Sequence, residues 1–293
     1  MTRSGFVALA GRPNVGKSTL VNAVVGTKVA IVSDKPQTTR RPIRGVATSG
    51  DHQLVLVDLP GVQRPRDVLT ERMQRSVERE MADADAALLI INAEEGVGPG
   101  DRFIAAALAA ARRPVVVAVN KVDRLDRAHV VLALQAAADL DVGDDVFPIS
   151  AKSGRGVPAL VDHLAALMPE GPFMFPPEDH SDQSESVMLA ELVREQVLRR
   201  TFQEVPHAVE VLIDDVQRPR DDLTLVRAVA WVEAESQKGI LVGSGGRMIK
   251  AIGTAARKEL QRELGTRVHL DLSVRVRRGW RGDDGLLDRL GFE

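Results

Sequence analysis

The stretch Gly11–Ser18 reads GRPNVGKS, and it decides the fold of the first half of the chain. It fits the pattern G-x-x-x-x-G-K-[ST], and it lies between the apolar run FVALA and the helix-forming run KSTLVNAVVG. A loop of this kind points successive backbone N–H groups, and the positive end of the following helix, at nucleotide phosphates. We therefore expect Lys17 to reach the β- and γ-phosphates and Ser18 to ligate Mg²⁺.

Further apolar runs follow this loop at regular intervals: QLVLVDLPG, AALLIINA, PVVVAVNKVD and VFPISAKSG. Alanine-rich segments with helical character separate several of them. Strands that are apolar on both faces are typical of a parallel sheet covered by helices on both sides. The pattern predicts an α/β P-loop domain, with a doubly wound, mostly parallel sheet, over residues 1–168.

Three polar motifs come directly after predicted strands. Asp58 begins DLPG, where a carboxylate can hold the magnesium shell and the Gly61 amide can touch a γ-phosphate. The motifs NKVD (Asn120–Asp123) and SAK (Ser150–Lys152) fall at the carboxyl edge of the predicted sheet, where open α/β folds bind ligands. The Asp123 carboxylate can accept both the ring N–H and the exocyclic amine of guanine, a pair that adenine lacks. NKVD alone fits an ordinary polar loop, but in this order and spacing with the P-loop the motifs predict GTP and GDP as ligands.

The second half of the chain has a different organisation. Residues 169–187 contain four prolines and no Lys or Arg, which predicts a linker or a surface excursion. Residues 188–293 show a helix, two strands, a glycine-bearing helical unit and the alternating strand RVHLDLSVRV. This α-β-β-α-α-β order predicts a smaller α+β domain.

Composition limits the classes of protein that the chain can belong to. Its 293 residues suffice for about two domains, and the absence of cysteine excludes thiol catalysis, disulfides and cysteine-ligated zinc. No signal peptide or membrane-spanning apolar run is found, so we expect a cytoplasmic protein. The net charge of -2 hides an uneven distribution, because residues 236–282 carry eleven Lys and Arg against three acids. Such an excess attracts polyanions, although a solvated helix face is the plainer interpretation.

A second glycine-rich stretch, Gly243–Gly246, lies within this basic region. It does not fit G-x-G-x-x-G, because Met248 stands where the third glycine would be. It fits the G-x-x-G loop that a KH domain places between two helices, where the backbone of single-stranded RNA approaches closely. The predicted RNA-binding residues are Ile240, Val242, Gly243, Ser244, Gly245, Gly246, Arg247, Met248, Ile249, Lys250, Arg257 and Lys258.

Aromatic residues are only 3% of the chain, so base recognition would depend on hydrogen bonds and aliphatic contacts. The four apolar residues in this set suit a protein core at least as well as an RNA surface. Trp231 and Trp280 are expected to pack inside the domain rather than to stack on bases.

The motifs GRPNVGKST, QTTR, DLPG, NKVD and SAK together resemble those of translation-factor-related GTPases, and most closely the Era family. The resemblance continues through ESQKGILVGSGGRMIKAIG and the tail WRGDDGLLDRLGF. It implies an Era-type GTPase domain followed by a type 2 KH domain, which binds the 3′ end of small-subunit (16S) ribosomal RNA. It also implies a role in assembly and maturation of the 30S pre-subunit. We expect no DNA partner and a monomer.

The resemblance also implies roles for single residues. A threonine of QTTR would complete the magnesium shell with Ser18 and Asp58, and Thr39 is favoured over Thr38. The catalytic group would comprise Lys17, Thr39, Gly61 and Asn14. The full set of nucleotide-binding residues would be Gly11, Arg12, Pro13, Asn14, Val15, Gly16, Lys17, Ser18, Thr19, Asp58, Leu59, Pro60, Gly61, Asn120, Lys121, Asp123, Ser150, Ala151 and Lys152.

Three positions depart from the related patterns. Val62 stands where Ras-like enzymes have the glutamine that orients the attacking water, so intrinsic hydrolysis should be slow unless charge is stabilised otherwise. In related GTPases a P-loop asparagine binds K⁺ in compensation, and Asn14 occupies that position, although asparagine also suits a tight turn. Ser244 replaces a lysine usual in the family's G-x-x-G loop, which should weaken RNA binding slightly. Leu59 replaces a common threonine, for which we expect only a packing consequence.

A second class of function remains open at this stage. The basic C-terminal face would also suit an anionic membrane surface, and the protein would then be a GTP-gated peripheral membrane or signalling protein with incidental RNA affinity. Peripheral association with the cytoplasmic face of the cell membrane is therefore an additional expectation.

Overall fold

The structure is a computed structural model that describes residues 1–35, 37–61, 65–111, 113–143, 145–202 and 205–292. The chain divides into two compact units. The first comprises Met1–Ala30, Thr39–Arg66 and Thr70–Asp182, and the second comprises Ile31–Thr38, Asp67–Leu69 and Gln183–Glu293.

The first unit contains a six-stranded sheet of order β2-β3-β1-β4-β5-β6, in which all neighbours are parallel except β2 and β3. The strands are β1 Arg3–Ala10, β2 Ile43–Ser49, β3 His52–Asp58, β4 Ala86–Asn92, β5 Val115–Asn120 and β6 Val146–Pro148. The helices are α1 Lys17–Val25, α2 Val68–Asp83, α3 Pro99–Ala110, α4 Arg127–Ala138 and α5 Val157–Leu167. The predicted doubly wound, mostly parallel sheet is confirmed, with an antiparallel edge strand and helix α2 in addition.

Segment 169–182, the first part of the predicted linker, is held against the sheet of this unit. Glu170 forms an isolated bridge with Arg3, and Ser181 forms one with Gly45. The Gln53 side chain, which is fully buried, accepts hydrogen bonds from the backbone N–H groups of the segment at 2.9 and 3.0 Å. This segment therefore packs against the first unit.

The second unit follows the predicted α-β-β-α-α-β order. Its three-stranded sheet has the order β7-β8-β9, with β7 and β8 antiparallel and β8 and β9 parallel. The strands are β7 Glu210–Arg220, β8 Leu223–Val232 and β9 Arg267–Val276. The helices are α6 Glu185–Leu198, α8 Glu235–Val242 and α9 Arg247–Leu264, with the short helices α7 Val205–Ala208 and α10 Asp284–Arg289 in addition.

Residues 31–38 belong to the second unit although they precede most of the first in sequence. Ile31 is buried in the apolar core that contains Leu189 and Leu192 of α6. The backbone N–H of Val32 donates to the buried Glu195 carboxylate at 3.0 Å. Thr38 is fixed at the other end, because its carbonyl accepts a hydrogen bond from the Arg194 guanidinium.

Candidate functional site

The loop Gly11–Ser18 connects β1 to α1, and its glycines are required by its shape. Gly11 and Gly16 have φ values of 150° and 105°, a region that strains any residue with a side chain. A Cβ atom on Gly16 would also lie 2.3 Å from the Asn120 amide nitrogen. The loop can therefore approach its neighbours only because glycine stands at both positions.

Asn120, at the end of β5, holds this loop in place through hydrogen bonds of its side-chain amide. Its Nδ2 donates to the Val15 carbonyl at 2.8 Å, and its Oδ1 accepts from the N–H groups of Lys121 and Ala151 at 2.8 and 2.9 Å. One buried amide thus joins the P-loop, the NKVD motif and the SAK motif.

The three predicted magnesium ligands contact one another, because two of them donate hydrogen bonds to one carboxylate oxygen of the third. Asp58 Oδ2 accepts hydrogen bonds from the hydroxyls of Ser18 at 2.6 Å and Thr39 at 3.1 Å, and those two hydroxyls are 3.3 Å apart. The other oxygen, Asp58 Oδ1, is buried and has no hydrogen-bond partner among the residues that the structure describes. An unpartnered buried carboxylate oxygen beside two hydroxyls fits a hard divalent cation, and Mg²⁺ usually takes one or two carboxylates together with substrate phosphates.

The neighbouring threonine is directed elsewhere. The Thr38 hydroxyl donates to the Lys35 carbonyl at 2.7 Å, whereas Thr39 faces Asp58. The geometry therefore favours Thr39 as the residue that would complete the metal shell.

Lys17 and Asp58 face each other inside the site, and both are buried. Burial lowers the pKa of Lys17, which the Asp58 carboxylate partly offsets. Burial also raises the pKa of Asp58, against the opposing effects of Lys17 and of the Ser18 and Thr39 hydroxyls. The Lys17 ammonium donates to the carbonyls of Gly11 and Arg12 at 3.0 and 3.2 Å, so it is held over the loop where phosphates would bind.

The predicted guanine end of the site combines an exposed carboxylate with a buried hydroxyl. The hydrogen bond from Ser150 is the main cause that lowers the pKa of Asp123, so this carboxylate is ionised at neutral pH. Lys121 has a left-handed backbone (φ 69°) that turns the chain towards Asp123. Ala151 is buried and Lys152 is exposed.

Other predicted nucleotide residues differ in what their side chains do. Arg12 is turned away from the loop, because its guanidinium pairs with the fully buried Asp101 at 2.8 Å and with Glu95 at 3.0 Å. Asn14 is exposed and has a φ of 64°, a backbone that suits the turn interpretation and leaves the side chain at the surface.

The remaining members of the predicted set lie in or beside the loop and the DLPG motif. Leu59 is buried in a small apolar cluster, as its packing interpretation requires. A Cβ atom on Gly61 would lie 3.3 Å from the Pro13 ring, so the DLPG motif closes against the P-loop. Val15 and Pro60 are buried and Thr19 is half-buried. Val62 lies outside the described residues.

In the second unit, Gly243–Gly246 forms a tight turn between α8 and α9. Gly243, Gly245 and Gly246 have φ values of 69°, 61° and 76°, and a Cβ atom on Gly243 would lie 2.7 Å from Met248 Cβ. Ser244 is exposed at the tip of the turn. Ile240 is 46% exposed, which sets it apart from a core residue, whereas Val242, Met248 and Ile249 are half-buried.

Trp280 is fully buried and donates to the Ala208 carbonyl at 3.1 Å, as expected of a packing residue.

Two grooves run along α9. The first, of about 320 Å³, lies between α9 and β9, and it contains the predicted residues Ile249, Lys250 and Arg257. His269, Leu270 and Leu272 of β9 also line it, which the sequence did not suggest because the alternation of β9 was interpreted only as a half-buried strand.

The second groove, of about 660 Å³, lies between α6 and α9 and is strongly basic. Its cations are Arg199, Arg200, Arg247, Lys250, Lys258 and Arg262, against a single acid, Glu259. Lys250 and Thr254 line both grooves, so the two adjoin along α9.

The P-loop, the Asp58 cluster and the guanine-type motifs on a doubly wound sheet define a P-loop GTPase, and the second unit defines a KH domain. A family described as "50S ribosome-binding GTPase" matches residues 6–121, and a family described as "KH domain" matches residues 204–281. GTPase Era of Mycobacterium avium (strain 104) is 46% identical over 296 residues, which cover 99% of both chains. GTPase Era of Mycobacterium tuberculosis (strain ATCC 25618 / H37Rv) is 46% identical over 295 residues, or 99% of this chain and 98% of the relative.

Two solved structures superpose over the full chain. Era in complex with MgGDPNP and nucleotides 1506–1542 of 16S ribosomal RNA has a TM-score of 0.94 and 34% identity, covering 100% of this chain and 99% of that one. An Aquifex aeolicus Era variant bound to GDP and AlF₄⁻ has a TM-score of 0.94 and 33% identity, covering 99% of both. The chain belongs to the Era family of GTPases, and it hydrolyses GTP.

Proposed function

We propose that the protein is a Mg²⁺-dependent GTP switch that binds the 3′ end of 16S ribosomal RNA through its KH domain and assists assembly and maturation of the 30S subunit. The nucleotide would bind along Gly11–Thr19 and the Asp58–Gly61 motif, with guanine against Asn120–Asp123 and Ser150–Lys152. The observation that carries the RNA part is the turn Gly243–Gly246, which is followed directly by Arg247 and Lys250 of the cationic groove between α6 and α9.

In the nucleotide half, Ser18, Thr39 and Asp58 would hold the metal, which would bridge phosphate oxygens and neutralise their developing charge. Lys17 would orient the β- and γ-phosphates, and the Gly61 amide would sense the γ-phosphate. Loss of that phosphate would release Thr39 and Gly61 and change the two switch segments.

In the RNA half, the positive-φ glycines would let a sugar–phosphate chain approach the turn, and Arg247 and Lys250 would contact its phosphates. A KH cleft holds about four nucleotides. The RNA bound by the related Era structure spans nucleotides 1506–1542, so most of it must lie outside such a cleft. The continuous basic groove between α6 and α9 supports binding of a longer RNA by this chain as well.

The experiment compares binding of a fluorescent RNA copy of the 16S 3′ end to wild type and to Ser244→Asp/Gly245→Asp. The double variant adds two carboxylates where phosphates would approach, so we expect affinity to fall by more than tenfold, about 1.4 kcal/mol or more. Arg102→Ala/Arg127→Ala, two exposed cations of the first unit, removes two positive charges as well and should bind normally. Unchanged RNA affinity in the double variant would refute the RNA site.

We further propose a monomer that works in the cytoplasm. Among the described residues, no helix combines the length and apolar character needed to cross a membrane. Peripheral membrane binding is tested with the same variants and phosphatidylserine vesicles. If the double variant lost vesicle binding but kept RNA binding, the α9 face would be a membrane surface instead.

A further inference from the structure

An apolar cavity of about 520 Å³ lies in the first unit between α2 and α3, beside the P-loop. Its walls are formed by Val77 and Met81 of α2, by Ile104 and Leu108 of α3, and by Leu59. The volume is within the range of about 300–1,000 Å³ that is typical of small-molecule sites. Its apolar walls favour an apolar occupant, because binding removes their surface from water.

The cavity stays open because small side chains face it from both helices. The exposed residues Ala82, Ala107 and Ala111 line its mouth, which larger residues would narrow. Phe103 lies one turn before Ala107 on the same face of α3, and its ring is 67% exposed. A phenyl ring left in water beside an apolar cavity offers a surface that a ligand would cover.

The charges around the cavity indicate the chemistry of the ligand. Its ionisable lining residues are Lys17, Arg113 and Glu78. Lys17 donates to P-loop carbonyls, and Glu78 accepts a hydrogen bond from Gln74 at 3.0 Å. Arg113 donates to the Ala82 carbonyl through one nitrogen, and a guanidinium has further N–H groups with which to bind an anion.

We propose that this cavity is a regulatory site for a small apolar carboxylate of the fatty-acid type, which slows GTP hydrolysis when it binds. The acyl chain lies between α2 and α3, and the carboxylate pairs with Arg113. Leu59 and Pro60 line the cavity directly before Gly61, so an occupant holds the DLPG motif in one arrangement and opposes its adjustment around a γ-phosphate. The inference depends on GTPase activity and not on RNA binding.

The test is calorimetric titration of decanoate, below its micelle concentration, into the full-length protein saturated with GDP. Wild type should bind one equivalent. Ala107→Phe places a ring at the mouth of the cavity and should weaken binding by about tenfold or more, whereas Ala106→Phe, at an adjacent exposed residue outside the lining, should bind as wild type does. Arg113→Gln should weaken binding of decanoate but not of decanol, which has the chain without the charge.

GTP turnover is measured with the same variants. Decanoate should slow wild type and Ala106→Phe as the site saturates, and should leave Ala107→Phe unaffected. Ala111→Leu replaces Ala107→Phe if the latter does not bind GDP normally. Absence of saturable binding, or equal binding by an Ala107→Phe or Ala111→Leu variant that binds GDP normally, overturns the site. One-to-one binding with unchanged turnover overturns the regulatory role.

Discussion

Asn120 influences the nucleotide site from behind the P-loop rather than only from the guanine side. Its amide is 2% exposed and makes three hydrogen bonds to backbone groups of three separate motifs. A buried amide with all of these bonds made fixes its neighbours, because breaking any one of them leaves a desolvated group unpaired. Asn120 is therefore a positioning residue for the whole nucleotide pocket.

We expect Asn120→Asp to weaken GDP binding by about tenfold to a hundredfold, since an unsatisfied buried hydrogen-bonding group costs about 1–3 kcal/mol. The introduced carboxylate cannot donate a hydrogen bond to the Val15 carbonyl, and its negative charge would repel the partial negative charge of the carbonyl oxygen. Titration of fluorescent GDP measures the change. Gln135→Glu, which adds the same charge at an exposed position of α4, should leave affinity unchanged. Wild-type affinity in Asn120→Asp would show that nucleotide binding by the P-loop does not require the hydrogen bond from Asn120 to the Val15 carbonyl.

Asn14 allows a test of the proposed potassium site. Its left-handed backbone puts it at the surface of the P-loop, where an amide oxygen could contribute to a cation site beside the phosphates. We expect GTP turnover to be faster in KCl than in NaCl at equal ionic strength, and Asn14→Ala to abolish the difference. Equal wild-type rates in the two salts would leave Asn14 as a turn residue only.

At the scale of elements, α9 separates two surfaces with different chemistry. The groove between α9 and β9 combines aliphatic residues and a histidine with Lys250 and Arg257, which suits splayed bases. The groove between α6 and α9 is lined mainly by cations, and its described lining residues include no aromatic side chain. Among the described residues, Lys250 and Lys258 of the second groove have no ion-pair partner. The second groove can therefore bind phosphates without first breaking strong ion pairs at these positions.

Lys258→Ala should lower the affinity for RNA uniformly across sequences. For every phosphate that the variant no longer binds, the slope of log affinity against log salt should decrease by about one. The measurement is RNA binding at several KCl concentrations, with the exposed Arg102→Ala of the first unit as the charge-matched control. An unchanged slope in Lys258→Ala would exclude Lys258 from the phosphate-binding surface.

Whether an element can be predicted from sequence depends on whether the residues within it form a distinctive pattern. The P-loop and the apolar strands have distinctive residues, so their type and order could be predicted from sequence. Strand β2 was missed because IRGVATS is an edge strand whose alternation is interrupted by small residues, although the turn Gly50–Asp51 marks a hairpin. The attachment of segment 169–182 depends on the buried Gln53, which is more than 100 residues away in sequence, and no local pattern reveals such a pairing.

At the scale of the whole molecule, the division between the two units passes through the peptide bond between Thr38 and Thr39. Thr39 donates to Asp58 in the first unit, within the group of Ser18, Thr39 and Asp58 that we propose as the magnesium ligands. The carbonyl of Thr38 accepts from Arg194 in the second unit. Adjacent residues are thus bonded to the nucleotide site and to helix α6, which also contributes Gln196 to the basic groove.

Arg194 is held in a fixed position, so its hydrogen bond can depend on where the Thr38 carbonyl lies. It is fully buried, and both oxygens of the Glu191 carboxylate pair with it, at 3.0 Å and 2.5 Å. Burial alone would lower the pKa of Arg194, but Glu191 and the more distant Glu210 and Glu195 raise it overall, so the guanidinium stays charged. A charged, forked group in a fixed position can distinguish two placements of one carbonyl oxygen.

This connection predicts a measurable coupling between the two ligands. If the GTP-bound state places Thr38 to accept from Arg194, RNA should bind more tightly to the protein with a non-hydrolysable GTP analogue than with GDP, by about 5–150-fold for a typical coupling of 1–3 kcal/mol. The ratio of analogue to GDP affinity must then rise by the same factor when RNA is present, because the coupling is reciprocal. Arg194→Lys keeps the charge but cannot form hydrogen bonds to Glu191 and Thr38 in the same forked geometry. In this variant, the ratio of RNA affinity with the GTP analogue to RNA affinity with GDP should approach one. Its affinity for GDP without RNA should stay unchanged. A wild-type ratio of one would mean that the two units act independently, and a full ratio in Arg194→Lys would mean that the coupling passes through other residues.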